Sequence, residues 1–274
     1  MSLPFFTDEF RVFTSTEQTH NSIAIRTAQD QHQVEEEVAV SICGVYENLG
    51  CEDAKSAYAM WYGENDPQNF MCWTKGGSQT KEAGEYQALL KTLSQTPELT
   101  NLHINVTSLY IWDILTYNLP KKEDGGWIGV PNHEIIQAIV ATLWAWSGKT
   151  MIGKIWDQEI KSKIRNLAKA SLTLEDQNGE LHLEPPEFFL VTGVCLSQAT
   201  QATLYKSILK QKVLPEQAAS TLNLGITKAC IEELMKKSPT NHRIWTSLRS
   251  KDFSPRIRAF LWKAMHNAYK IGKY

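Results

Sequence analysis

VAVSICGVYENLGCEDAKSAYAMWYGE, residues Val38 to Glu64, decides how the chain is read. β-Branched and aromatic residues fill two runs, and Gly and Asn lie between them, which is the pattern of two strands joined by a turn. The first strand carries Val38, Val40 and Ile42. The turn extends from Gly44 to Gly50, and the second strand runs from Ser56 to Tyr62. Cys43 stands at the end of the first strand.

Working outward, Asn65-Asp66-Pro67 is a turn, Phe70 to Trp73 a third strand, and Gly76-Gly77-Ser78 a loop. Lys81 to Ser94 is predicted helical, because Ala83, Tyr86, Leu89, Leu90 and Leu93 recur at three- and four-residue spacing. Leu102 to Thr107 alternates and reads as a strand. A helix from Leu109 to Tyr117 is expected to stop at Pro120. Lys121 to Asn132 reads as a Gly-rich turn whose Asn132 caps a largely buried helix beginning at Glu134. A fifth strand, Lys149 to Ile155, and a helix, Ile160 to Ser171, complete this part. Hairpins followed by alternating strands and helices imply a mixed α/β sheet with helices on its faces.

Before the hairpin, Met1 to Gln33 is a polar arm with scattered apolar groups such as Phe5, Phe6, Phe10 and Ile23. After it, Thr173 to Glu187, with Asn178-Gly179 and Pro185-Pro186, reads as a linker. Four helices are then expected: Ser197–Gln211, Pro215–Thr221, Ile226–Lys237 and Ser254–Tyr269. The last carries an apolar face of Ile257, Phe260, Leu261, Ala264, Met265 and Ala268, ending at Gly272. The expected organisation is an arm (1–36), an α/β domain (37–172), a linker (173–192) and a basic helical C-terminal region (193–274).

The 274 residues are long enough to bury a sizeable core. The net charge of −2 conceals an asymmetry: Tyr205 to Tyr274 holds fourteen Lys/Arg and four Asp/Glu, a surplus of ten positive charges. An acidic body with a basic tail suits nucleic-acid contact, or equally docking on an acidic partner. The five cysteines are odd in number and widely spaced, without metal-ligand spacing. No apolar run is long enough for a membrane span and no secretion signal opens the chain, so a reduced intracellular protein, cytoplasmic or nuclear and without membrane contact, is expected.

Four stretches carry a resemblance: GCEDAKSAYAMWYGENDPQN (Gly50 to Asn69), GEYQALLKTL (Gly84 to Leu93), SLYIWDILT (Ser108 to Thr116) and LPKKEDGGWIGVPNHEII (Leu119 to Ile136). In order and spacing they resemble a type-1 ribonuclease H domain over roughly Val38 to Ser171, and the GWIG-x-x-N run resembles its eukaryotic form. The tail from Trp245 to Tyr274 is similar to the helical segment following this domain in fungal genes derived from non-LTR retroelements. The resemblance implies a five-stranded mixed sheet flanked by helices, with a helical C-terminal extension.

It also implies a chemistry. Such enzymes cleave the RNA strand of an RNA–DNA hybrid with two divalent metals held by four carboxylates, since hard cations require several anionic oxygens in a compact cage. Here only Glu85 keeps its carboxylate. Cys43 stands at the first Asp position, Thr107 at the second and Arg165 at the last, while the mobile catalytic histidine falls near Ile155. The hybrid-contacting polar pair falls on Lys81 and Glu82. Arg165 is expected to pair with Glu85 in place of the metals, and Cys43 is expected to be a buried strand cysteine rather than a nucleophile. Trp127, Trp144 and Trp146 are expected in the core rather than on a base-stacking platform.

The expected function is therefore a catalytically degenerate ribonuclease-H-like protein that binds nucleic acid (an RNA–DNA hybrid or another duplex) or a protein partner. Arg249, Lys251, Arg256, Arg258 and Lys263 are the candidate nucleic-acid contacts. No resident metal or cofactor is expected. Two alternatives stand beside this reading. One is an active ribonuclease H using Mg²⁺ and displaced acids drawn from Glu47, Glu52, Asp53, Asp113, Asp157 and Glu159. The other is a structural or oligomerising module that does not bind nucleic acid.

Overall fold

Period-two alternation gives each central strand two apolar faces, and both are covered. A computed structural model describes residues 10–14, 37–174, 183–186, 190–212 and 217–269. Strand β1 is Arg11–Val12, β2 Glu37–Glu47, β3 Lys55–Trp61 and β4 Phe70–Trp73, followed by helix α1, Lys81–Gln95. Next come β5 Asn101–Val106, α2 Leu109–Leu115, α3 Leu119–Asp124, α4 His133–Ala145, β6 Thr150–Lys154 and α5 Gln158–Ser171. Strand β7, Val194–Cys195, precedes α6 Gln201–Gln211, α7 Ala218–Met235, α8 Asn241–Leu248 and α9 Pro255–Met265.

Five strands form one mixed sheet in the order β4-β3-β2-β5-β6. Strands β2, β5 and β6 run parallel, with Ile42 opposite Val106 and Val106 opposite Lys154, while β3 and β4 pair antiparallel. This is the sheet that the resemblance implies. Tyr58 and Met60 point into one core with Val40, Ile42, Tyr86, Leu89, Ile136 and Ile139. Their neighbours Ala57 and Ala59 point the other way, into a second core with Cys43, Val45, Ile155, Ile164 and Ala168. Helices α1 and α4 thus cover one face, and α5 covers the other. The α5 end is pinned where Trp73 Nε1 donates to Ser171 O at 2.7 Å.

Two glycines set how closely α1 approaches the sheet. A Cβ on Gly44 would stand 2.0 Å from Lys81 O and 2.9 Å from Glu85 N. A Cβ on Gly84 would stand 2.9 Å from Ala57 O and 3.1 Å from Thr74 Oγ1. Both obstructing atoms nearest these positions are backbone, so no side-chain rotation relieves them.

The chain divides into two compact units, Met1–Tyr46 with Lys55–Gln211, and Glu47–Ala54 with Lys212–Tyr274. In the first, β1 pairs antiparallel with β7, and buried Arg11 donates to Glu123 O at 2.9 Å and Gly193 O at 3.0 Å. Arg11 also forms an ion pair with Asp124 at 3.0 Å. This unit therefore runs past residue 193, the expected start of the C-terminal region. In the second unit, Leu224, Ile244 and Met265 form a small core. The turn between β2 and β3 belongs here: Glu52 N donates to Ser238 O, and Thr240 N to Gly50 O, both at 2.9 Å. Glu52 and Lys228 form an ion pair, and Lys237 Nζ donates to Asn48 Oδ1 at 2.7 Å.

Several sequence expectations need correction. Strand β2 continues through Gly44 to Glu47 because Val45 still has a core to fill. Pro120 does not end a helix; it sits in the first turn of α3, where its missing N–H costs nothing. Asn132 is left-handed (φ 58°) and makes no side-chain cap. The two helices expected at Pro215–Thr221 and Ile226–Lys237 are one, α7 from Ala218, with Gly225 tolerated inside it. Helix α8 was not expected at all. Of the supposed apolar face of α9, only Met265 is buried, while Ile257 and Phe260 are exposed. Most of the arm and linker, with Lys270 and Gly272, lies outside the described residues. Among the described residues no helix is long and apolar enough to cross a membrane.

Gly44→Ala forces α1 away from β2 and is expected to cost at least about 1–3 kcal/mol, the range for overpacking a filled interior. A urea-denaturation midpoint unchanged from the parent would contradict this reading.

Candidate functional site

The first turn of α1 is capped by Thr80, whose Oγ1 accepts from Ala83 N at 3.1 Å. One turn on, the close approach at Gly44 and Gly84 carries Glu85 fully out of solvent. Its Oε1 accepts from Thr107 N at 2.6 Å, from Ser108 N at 3.0 Å and from the Thr107 hydroxyl. Oε2 is buried and has no hydrogen-bond partner among the described residues. Burial pushes the Glu85 carboxyl up to about 6, against the opposing pull of the Lys81 charge and of the Thr107 and Ser108 donors.

Cys43 is wholly buried, and its thiol donates weakly to Gly44 O at 3.5 Å. Burial raises its pKa, and the Glu85 charge adds to this, while Thr107, Lys81 and Arg165 act in the other direction. A thiol held in its neutral form is a poor nucleophile and a poor ligand for a hard cation. Ile155 packs with Cys43, Ile164 and Ala168. Cys43, Glu85 and Thr107 are thus brought together, with Ile155 against Cys43.

Arg165 does not join Glu85. It lies exposed on α5, and among the described residues no cation forms an ion pair with Glu85. The expected pairing fails for a physical reason: the carboxylate is sealed against the end of β5, where Thr107 and Ser108 supply donors, whereas the guanidinium stays in water. Glu85 is held by neutral hydrogen bonds rather than by a substitute cation.

These donors do not fit two Mg²⁺ ions. One carboxylate, already accepting three hydrogen bonds, faces a neutral thiol and a hydroxyl, and Mg²⁺ demands octahedral oxygen ligation. The displaced acids are engaged or dispersed. Asp113 accepts from Asn118 Nδ2 at 2.6 Å, Asp157 caps α5 through Glu159 N at 2.7 Å, and Glu159 pairs with Lys163 at 2.9 Å. Asp53 accepts from Asn48 Nδ2 at 2.7 Å, Glu52 pairs with Lys228, and Glu47 is exposed at the end of β2. Among the described residues no three His, Cys, Asp or Glu side chains converge as a metal site.

Trp127 and Trp146 are core residues, and Trp144 packs against the same core. The candidate nucleic-acid residues lie in the second unit: Arg249 caps α8, Lys251 follows it, and Arg256, Arg258 and Lys263 are on α9. All are exposed except Arg258, which is half-buried. Sequence reasoning missed Trp245, which lies on the unexpected α8, and did not single out Trp262 and His266 on the expected last helix. The available signal was Thr240, an N-cap residue four positions before Ile244, followed by Leu248 at helical spacing.

The raised Glu85 pKa has a definite sign. A carboxyl that binds its proton more tightly when folded stabilises the fold below its unfolded value of 4.5, and that contribution disappears as pH rises through about 6. The shift corresponds to about 2 kcal/mol. Glu85→Gln is expected to remove this component, flattening folding stability between pH 4.5 and 7 in urea titrations. A Glu85→Gln profile as steep as the parent's would rule out Glu85 as the source.

No protein-family model and no curated protein matches the chain. Similar solved structures include the foamy viral protease-reverse transcriptase in complex with dsDNA, at 12% identity and TM-score 0.41, covering 50% of this chain and 94% of that one. Another is RNase H1 from the halophilic archaeon Halobacterium salinarum NRC-1, at 15% identity and TM-score 0.36, covering 50% and 97%. A third is LC9-RNase H1, a type 1 RNase H with the type 2 active-site motif, at 13% identity and TM-score 0.38, covering 67% and 90%.

Proposed function

We propose that this chain is a catalytically inert ribonuclease-H-like protein that acts by binding nucleic acid. The observation that carries the reading is the state of the centre. At the positions where the resemblance calls for metal carboxylates, Cys43 and Thr107 are buried and neutral, and Arg165 is exposed. The one remaining carboxylate, Glu85, has its Oε1 committed to Thr107 and Ser108. Hydrolysis of a phosphodiester by the two-metal route needs a cage that neutralises charge on both attacking and leaving oxygens, and this set of donors supplies none. No Mg²⁺ is assigned to it.

Nucleic acid is favoured as the partner because the positive surplus of the tail is dispersed along it, and most of its described Lys and Arg side chains are exposed, which suits a phosphate backbone. A protein partner with an acidic surface is the second reading, favoured by the same surplus. The tail's similarity to retroelement-derived genes supports descent from a retroelement enzyme whose chemistry was lost and whose fold was kept.

Incubation of a labelled RNA–DNA hybrid with Mg²⁺ or Mn²⁺ is expected to give no cleavage above buffer, while the hybrid or another duplex binds with affinity that falls steeply with salt. Turnover that Glu85→Ala abolishes would sink the inert reading. Absence of any nucleic-acid binding at low salt would shift the partner to protein.

A further inference from the structure

Within the second unit, α8 and α9 enclose a groove that the nuclease-like centre does not explain. A cavity of about 400 Å³ is lined by Trp245, Leu248, Arg249, Arg258 and Trp262 among others. A second, of about 300 Å³, shares Trp245 and Arg249 and adds His242, Thr246 and His266.

The aromatic groups are ordered relative to one another. Trp245 stacks on His266 with centroids 5.2 Å apart and planes at 19°, and Trp262 meets the same imidazole at 4.4 Å and 53°. His266 is fixed in turn, its Nδ1 lying 2.7 Å from Ser220 Oγ and 3.2 Å from Gln217 Oε1. Trp262 nevertheless leaves half of its surface to solvent. Arg258 Nε is buried without a hydrogen-bond partner among the described residues. No carboxylate lines either cavity. From Thr240 to Tyr269 the chain carries six Lys/Arg and one acid, Asp252.

We propose that this groove takes single-stranded nucleic acid, with an unpaired base against Trp262 and backbone phosphates on Arg249 and Arg258. The inference rests on the nucleic-acid reading above and names its strand state. Arginines alone would serve any polyanion, but an exposed indole beside them adds value only for a ligand with a free aromatic face. In a duplex the base faces are stacked on one another and withheld, whereas in a single strand each base offers one. An acidic peptide matches the charge and leaves the indole face uncovered.

The test uses the full chain and fluorescence anisotropy with three labelled probes of about twelve nucleotides, within the usual site size for single-strand binders. The probes are a single strand, a DNA duplex and an RNA–DNA hybrid. The single strand is expected to bind more tightly than either duplex form. Trp262→Ala is expected to weaken its binding by about tenfold or more, with Trp262→Phe retaining most of it and the duplex forms shifting by less than about twofold. Arg258→Gln, which keeps the side-chain stem, is expected to lower the single-strand salt slope by about 0.7. Unchanged single-strand affinity in both Trp262→Ala and Arg258→Gln overturns the groove assignment, as does equal competition by polyglutamate. If the hybrid or duplex binds and the single strand does not, the inference fails while nucleic-acid binding stands; if no probe binds at low salt, both fail.

Discussion

The structure depends on how closely one helix lies on the sheet. At Gly44 and Gly84 the backbone of α1 comes nearer to β2 and β3 than any side chain would allow. That approach takes Glu85 out of water, and removal from water is the largest cause of its raised pKa. The protonation behaviour of the centre is therefore a product of backbone geometry. A helix held about one methyl group further out would leave the carboxylate a path to solvent and an ordinary titration.

The centre is also consistent with its own surroundings. A cluster of carboxylates repels itself unless metal charge balances it, so a chain without that balance gains by neutralising the positions. Here uncharged side chains surround Glu85 and merge into the adjoining structure. The thiol of Cys43 and the side chain of Ile155 extend an apolar core, and Thr107 supplies both a backbone and a side-chain donor to Glu85. Of the Glu85 carboxylate, Oε2 is left without a hydrogen-bond partner among the described residues. Leaving a buried acceptor unpaired costs about 1–3 kcal/mol, a burden that an interior of this size can carry.

The sheet was legible from the sequence because burial on both faces demands alternation, and the pairs Tyr58/Met60 and Ala57/Ala59 show it over a few residues. Features decided by distant contacts were less so. Gly44 looks like a turn residue, but it lies inside a strand because a helix crosses it. Gly225 looks like a break and is accommodated in α7. The meeting of Cys43, Glu85 and Thr107 has no local signature, since the three lie on different elements, and it was legible only through a family resemblance. That resemblance placed Arg165 near the centre, but charge complementarity along the sequence says nothing about which side of a helix faces water. The groove at Trp245 and Trp262 went unread because each tryptophan by itself resembles a core residue.

One further property follows from the turn Glu47–Ala54, which belongs to the second unit although the rest of that unit begins at Lys212. Its ion pair joins Glu52 to Lys228 across 176 positions. Contacts of such separation close large loops, and their formation is slow relative to local helix formation. During synthesis the turn must wait until the segment from Lys212 onward has emerged before it finds its partners. The second unit is then complete only once its later segment has joined the turn, and a chain interrupted before Lys212 carries a hairpin tip without these hydrogen-bonding partners.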